Sequence, residues 1–291
     1  MKRRLAPAVA VALAVAATLG VTTGTSSAAS SASAKRAQVF AGIGAWIDIY
    51  DATIRQPRAA VAAAAAHGVK TIYVETSNYH SPADVMYPAS LRTLVRLAHA
   101  QGIKVVPWYL PGYRSLALDQ RRFKAAVGIG GTEKVDGLGL DVEADIGADR
   151  DERAARAGAM ARWVRGTFPT LPLAGIVPRD ALAWWVVFPY ADVRAATDAM
   201  LPMCYTSRSL TAAQTRRLAA ACVTDIRTNT GDPTVPVHVI AGVTDSLKAW
   251  QLKAAARGAR DAGAAGFSLY NLETTSVADW GAIDVFRGTA P

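Results

Sequence analysis

Three carboxylates alternate with other residues near the middle of the chain. Residues 135–145 read Val-Asp-Gly-Leu-Gly-Leu-Asp-Val-Glu-Ala-Asp, which places Asp141, Glu143 and Asp145 two positions apart. Successive side chains of a β-strand point to opposite faces, so the three acids are expected on one face of a strand. Two neighbouring acids cannot both ionise cheaply, and the resulting pair of one acid and one carboxylate is typical of glycosidic-bond cleavage. The alternative is a row of acids that caps the next helix or pairs with arginines.

A barrel of parallel strands is predicted to position these acids. After residue 34, apolar strand-like runs alternate with Ala- and Arg-rich helical runs about eight times, as βα units do. The predicted strands are 40–50, 70–78, 104–110, 137–143, 173–178, 199–206, 235–243 and 266–272. The predicted helices lie near 57–67, 89–101, 116–126, 150–167, 180–187, 211–229, 247–262 and 279–287. About 250 residues suit one such barrel, so we predict a single (β/α)₈ TIM barrel over residues 35–291.

The residues at the C-terminal ends of these strands are mainly acids and aromatics. Active sites of (β/α)₈ barrels lie at this end. The candidate substrate-binding residues are Trp46, Asp48, Glu75, Trp108, Tyr109, Asp145, Arg179, Asp245, Tyr270 and Asn271. Aromatic faces stack on sugar rings, and carboxylates and amides bind sugar hydroxyls. These residue types therefore predict a carbohydrate ligand at the mouth of the barrel. Each aromatic residue taken singly is also compatible with core packing.

The first 34 residues have the order of a secretory signal peptide. Three basic residues at 2–4 precede an apolar run to Leu19, and a Ser/Thr/Ala tract follows and ends at Ala34. We expect cleavage after Ala34, with Ala29 as the second choice. No later stretch is long and apolar enough to span a bilayer, so we expect a secreted, extracellular protein that is not held in the membrane.

Composition argues against several classes of partner. The formal net charge of +9 falls to +6 without the first 34 residues, which permits retention on an anionic cell wall but does not predict nucleic-acid binding. None of the four histidines forms an HxH or HExxH pair, so we predict no metal. Phosphate-binding and dinucleotide loops are also missing, and we expect a monomer without a cofactor.

Cys204 and Cys222 are the only cysteines of the chain. If Tyr205 faces the lumen, alternation turns Cys204 outward, and Cys222 lies on the face of the following helix that should be buried. A disulfide between them is one outcome, and two buried free thiols are the other. A separation of the Cα atoms above about 7 Å would exclude the bridge.

Short motifs on two strands resemble those of the family 18 glycoside hydrolases, the chitinase-like barrels. The family's fourth strand carries D-x-x-D-x-D-x-E, and Asp136, Gly139, Asp141 and Glu143 occupy those positions here, with glycine replacing one acid. Its sixth strand carries M-x-Y-D, where residues 203–206 read Met-Cys-Tyr-Thr. The eighth strand ends in tryptophan in the family and offers Tyr270 here. The chain is also similar, more loosely, to other glycoside hydrolase barrels and to family 25 lysozymes.

This resemblance implies roles for three residues. Glu143 would be the general acid, Asp141 would orient an N-acetyl group whose carbonyl attacks the anomeric carbon, and Tyr205 would hydrogen-bond that carbonyl. The two missing acids leave a conventional route open, in which Glu143 works with a second carboxylate such as Glu75, Asp48 or Asp245. We expect Asp141 to be ionised and Glu143 to hold the proton, with Gly139 leaving space below them.

The sequence therefore predicts a secreted glycosidase that cleaves an extracellular or cell-wall polysaccharide by carboxylate acid/base catalysis. The alternative is a non-catalytic carbohydrate-binding barrel that keeps the cleft but not the chemistry. Fold alone does not decide between them, because barrels host many functions.

Overall fold

Eight parallel strands close into a barrel in the computed structural model, which describes residues 31–144, 150–179, 185 and 187–288. The strands are β1 Gly42–Ile47, β2 Thr71–Asn78, β3 Lys104–Leu110, β4 Leu138–Asp141, β5 Leu173–Pro178, β6 Ala199–Met203, β7 His238–Gly242 and β8 Gly266–Tyr270. Each strand pairs with the next in sequence, and β8 pairs with β1. The predicted (β/α)₈ barrel is confirmed. Residues 1–30 of the expected signal peptide lie outside the described residues.

Helices follow the strands around the barrel. They are α1 Pro57–Ala66, α2 Pro88–Ala100, α3 Leu116–Val127, α4 Arg150–Thr167, α5 Tyr190–Ala196, α6 Ala212–Thr230, α7 Ala249–Asp261 and α8 Val277–Ala282. A helical segment at 31–37 precedes the barrel. The prediction missed α5, and most of the helix expected at 180–187 lies outside the described part of the chain. None of the helices described is long and apolar enough to cross a membrane.

The core has two layers because strand side chains alternate in direction. Large residues fill the lumen: the rings of Trp46 and Tyr73 stack with centroids 4.4 Å apart, and Trp46 Nε1 donates to Ser268 Oγ over 2.7 Å. A glycine makes room for them, since a Cβ at Gly44 would lie 2.6 Å from Cε2 of Tyr73. The second layer joins the outward strand faces to the helices. The lumen below the mouth is therefore packed rather than open.

Charged contacts close the opposite end of the barrel. Asp198, 1% exposed, receives Arg36 at 2.8 Å and Arg165 at 2.7 Å, and Ser33 Oγ donates to the same carboxylate. Asp136 accepts the Val105 N–H at 2.7 Å and contacts His99 at 2.9 Å. Asp136, the first acid of the fourth-strand motif, thus fixes the start of that strand and lies away from the mouth.

The structure confirms the disulfide between Cys204 and Cys222. Cys204 directly follows β6, Cys222 lies on the buried face of α6, and their Cα atoms are 6.3 Å apart. The bridge therefore ties the strand end that carries Tyr205 to the helix layer.

We predict that the double variant Cys204→Ser/Cys222→Ser unfolds more easily. The bond spans 18 residues of sequence, and closing such a loop in the unfolded chain is worth about 3 kcal/mol of unfolding free energy. Denaturant titration of the oxidised, reduced and double-variant proteins measures it. Reduction of the wild type should reproduce the effect of the double variant, and an unchanged midpoint in both would contradict the assignment.

Candidate active site

The end of β4 brings two acids to a small cavity in the barrel mouth. Asp141 is the last residue of the strand, and Glu143 follows in irregular backbone. Asp141 is 3% exposed and its Oδ1 has no hydrogen-bond partner, whereas Glu143 is half-buried. Both acids line the cavity, as the alternation of β4 predicts. Asp145, the third acid of the row, lies outside the described residues.

The cavity has a volume of about 50 Å³ and a mixed lining. Its walls are formed by Trp46, Trp108, Asp141, Glu143, Ile176, Met203, Tyr205, Ile240 and Tyr270. Most small-molecule sites occupy roughly 300–1,000 Å³, so this space takes a water molecule or one substituent of a larger ligand. Trp108 Nε1 is a second buried polar atom without a partner in its wall. The cavity thus offers a free donor and a free acceptor next to apolar side chains.

Burial acts on both acids in the same direction. Burial raises the pKa of Asp141 well above its usual range, and the charges of Glu143 and Glu75 raise it further. Burial also raises the pKa of Glu143. The pair therefore holds a proton to higher pH than two free carboxyls would. Asp141 is the more deeply buried of the two, which favours its neutral form, and the expectation that Glu143 carries the proton stays a prediction.

A hydrogen-bond network supports the aromatic wall on the β1 and β8 side. Tyr270 donates its hydroxyl to Asp48 Oδ2 over 2.8 Å, and the other Asp48 oxygen accepts the backbone N–H groups of Tyr50 and Asp51. Asn271 donates to Asp51 Oδ1 over 2.6 Å. Burial, with the nearby charges of Asp48 and Glu273, raises the pKa of Asp51 to about 6 against the hydrogen bonds it accepts. Asp48 and Asn271 thus hold the loops and the Tyr270 ring in place.

Glu75 also lies behind the cavity wall. It is 2% exposed, its Oε2 accepts the Ile49 N–H, and its Oε1 accepts Asn78 Nδ2, both over 3.1 Å. Burial raises the pKa of Glu75 to about 7. These protein contacts engage both oxygens of Glu75, which does not line the cavity.

Several other candidates lie away from the cavity. Tyr109 was expected in the mouth, but it follows the inward Trp108 and so points outward, where its hydroxyl donates to Asp119 over 2.6 Å. Asp245 is exposed in a turn after β7, and half-buried Arg179 follows β5; neither lines the cavity. Gly139 does not leave a void, because a Cβ there would lie 2.7 Å from Trp108 Cβ and 2.9 Å from Ile176 Cδ1. Large neighbours occupy the room that the glycine provides.

Sequence reasoning missed the apolar part of the site. Ile176, Met203 and Ile240 line the cavity, yet aliphatic residues in a strand carry no signal that separates a site from a core. Tyr73, which supports Trp46, was missed for the same reason. In the part of the chain that the structure describes, no group of His, Cys, Asp and Glu side chains is arranged to hold a metal ion.

Solved structures with a similar fold include several chitinases. A chitinase from Rhizomucor miehei aligns with a TM-score of 0.60 and 13% identity over 84% of this chain and 100% of that one. The fold is similar to that of chitinases. The C-terminal domain of a putative chitinase from Desulfitobacterium hafniense aligns at 0.64, with 12% identity over 85% and 99% of the two chains. The Bacillus cereus spore cortex-lytic enzyme aligns at 0.61, with 8% identity over 86% and 74%.

The predicted resemblance to chitinase-like barrels is thus confirmed for the fold. The sequence matches no family model and no curated protein. At these identities the structural similarity establishes the architecture, and the activity must be argued from the site.

We predict that Asp141→Asn is more stable than the wild type at pH 8. A carboxyl whose pKa is raised by folding binds a proton more tightly in the folded state, so wild-type stability falls as pH rises above about 3.9, the ordinary pKa of aspartate. Asparagine does not titrate and removes this loss. Melting temperatures from pH 4 to pH 8 measure it, and a variant that is less stable than the wild type throughout that range would contradict the raised pKa.

Proposed function

We propose that this protein is a glycoside hydrolase that cleaves a polysaccharide containing 2-acetamido sugars. The observation that carries the proposal is the cavity beside Asp141 and Glu143, which is too small for a sugar ring but suits one acetamido substituent. The chitinase-like fold supports the same chemistry.

The cavity complements each part of an acetamido group. Asp141 Oδ1 is an unpartnered acceptor for the amide N–H, and Trp108 Nε1 is an unpartnered donor for the carbonyl. Tyr205, on the same wall, supplies a hydroxyl. Ile176 and Met203 offer apolar surface for the methyl group. A buried donor or acceptor left unpaired costs free energy, so a ligand that satisfies both gains affinity.

Binding of the substrate amide also moves the proton of the acid pair from Asp141 to Glu143, which must protonate the glycosidic oxygen. A hydrogen bond from the substrate N–H stabilises the charged form of Asp141 and lowers its pKa. The proton of the pair then belongs on Glu143, which is less buried and reaches the glycosidic oxygen from the mouth. The raised pKa of Glu143 suits it to hold this proton near neutral pH.

The proposed reaction then has two steps. Glu143 gives its proton to the glycosidic oxygen as the bond to the anomeric carbon breaks, and the acetamido carbonyl oxygen forms a bond to that carbon. Water subsequently attacks the anomeric carbon, gives a proton to Glu143 and releases the acetamido oxygen. The wall residues Trp46 and Tyr270 provide aromatic surface beside the reacting sugar.

We further propose that the protein is exported after cleavage in the tract that ends at Ala34. The order of basic, apolar and small residues at the N-terminus supports this. Ser33 and Arg36 both contact Asp198, so cleavage after Ala34 keeps the ion pair of Arg36 and removes the contact of Ser33. Mass spectrometry of the N-terminal peptide from culture supernatant tests export, and an intact N-terminus retained in the cells would contradict it.

We predict that Glu143→Gln lowers turnover of N-acetylated oligosaccharides by about 10²–10⁴-fold, because glutamine keeps the shape of the side chain but cannot protonate the leaving oxygen. Chitin oligosaccharides, peptidoglycan fragments and aryl glycosides with and without the acetamido group form the substrate panel, and reducing ends or released phenol are measured. Asp261→Asn, which changes an exposed acid at the end of α7, away from the strand ends that form the mouth, is the matched control and should keep wild-type turnover.

Two results would contradict the proposed function. Equal turnover by the wild type and Glu143→Gln would remove Glu143 as the acid. Measurable sugar binding without turnover of any substrate by the wild type would favour the non-catalytic carbohydrate-binding barrel.

A further inference from the structure

Glu75 is a buried carboxylate that the proposed reaction does not use. It belongs to β2, where it pairs in register with Trp108 of β3, and Trp108 pairs with Gly139 of β4. Trp108 faces the cavity, and residues in register on neighbouring strands point the same way. Glu75 therefore points into the lumen on one side of Trp108, while Asp141, two residues beyond Gly139, points into it on the other.

The position of Glu75 is fixed by protein groups rather than by substrate. Its two oxygens accept the Ile49 N–H and Asn78 Nδ2. Asn78 is held in turn, because its side chain also donates to Tyr50 and its carbonyl accepts Arg122 Nη1. Glu75 is 2% exposed and does not line the cavity, so protein groups surround its carboxylate.

The ionisable and charged groups around Glu75 come from several elements. They are Asp48 and Asp51 after β1, Asp141 at the end of β4, Tyr270 of β8, and Arg122 of α3, which acts through the Asn78 carbonyl. Acids dominate this set.

Keeping an ionised Glu75 in such surroundings lowers the stability of the fold. Burial raises the pKa of Glu75 to about 7, so the stability of the folded state falls as pH rises from about 4.5 to 7. Glutamine would remove this loss but would accept only one of the two hydrogen bonds, because its amide nitrogen is a donor. An acid that lowers stability above pH 4.5 and lies next to a site, outside the cavity lining, is a candidate for a functional role.

We infer that Glu75 is a positioning residue whose negative charge keeps the proton on Asp141 until substrate binds. Two fixed hydrogen bonds stop the carboxylate from turning away, and β3 lies between the strands that carry Glu75 and Asp141. The charge then acts through space across the lumen. The resting acid pair thereby keeps its proton to a higher pH than Asp141 and Glu143 would alone. The catalytic consequence rests on the proposed function, whereas the coupling between Glu75 and Asp141 does not.

A substrate-free experiment tests the coupling. Melting temperatures are measured at pH 5 and pH 8 for the wild type, Glu75→Gln, Asp141→Asn and the double variant. We expect the melting temperature of Glu75→Gln relative to the wild type to be several °C higher at pH 8 than at pH 5, because the lost hydrogen bond acts at both pH values and only the wild type carries an ionised residue 75 at pH 8. We also expect Asp141→Asn to raise the melting temperature at pH 8 by less in the Glu75→Gln background than in the wild type, because Asp141 then ionises at lower pH.

Asp119→Asn is the matched control background. Asp119 is also buried and its pKa is also raised, but its charge is not among those that raise the pKa of Asp141 or of Glu75. In that background the gain from Asp141→Asn should equal its gain in the wild type. Equal gains in the Glu75→Gln and wild-type backgrounds would overturn the inference. A Glu75→Gln protein that does not fold, or whose melting temperature differs from that of the wild type by the same amount at both pH values, would show a structural role and would also overturn it.

A second readout applies once a substrate is confirmed. Glu75→Gln should move the basic limb of the kcat/KM profile to lower pH by about one unit and leave kcat at the optimum close to that of the wild type. A structural role would instead lower kcat at every pH. If the panel yields no substrate, the melting experiment still decides whether Glu75 and Asp141 are coupled.

Discussion

The burial of several carboxylates at one end of a packed barrel is the constraint on which the rest of the site depends. A carboxylate removed from water is costly unless it is protonated or receives hydrogen bonds. Asp48 and Glu75 receive backbone N–H groups, which the turn after β1 supplies. Asp141 Oδ1 accepts no hydrogen bond, so burial favours the neutral form of Asp141. The same unpaired oxygen can accept a hydrogen bond from a ligand N–H.

The barrel makes such a site possible because its strands fix each side chain from the backbone. Below the cavity, Trp46, Tyr73 and Trp108 fill the lumen and exclude water. The disulfide at Cys204 ties the strand end next to Tyr205 to α6. The packed lumen and the disulfide thus hold the strand ends that carry the cavity residues.

Strand periodicity explains how much of this arrangement was predictable. Alternation in the fourth strand placed Asp141 and Glu143 on the lumen face correctly, and the eight apolar runs predicted the barrel. The same rule should have separated Trp108 from Tyr109, since consecutive strand residues cannot both face inward. The raised pKa of Asp141 was not predictable, because it depends on how deeply Asp141 is buried and on Glu75, which is distant in sequence. The effect of Gly139 was equally hidden, since the side chains that fill its space come from β3 and β5.

In the proposed complex, the acetamido group of a sugar occupies the cavity of about 50 Å³ and its N–H donates a hydrogen bond to Asp141. A crystal structure of Glu143→Gln soaked with an N-acetylated oligosaccharide tests this most directly. We expect the acetamido methyl group against Ile176 and Met203, the amide N–H within hydrogen-bond distance of Asp141 Oδ1, and the glycosidic oxygen next to residue 143. A bound sugar whose acetamido group points to solvent, with the cavity left to water, would contradict the account.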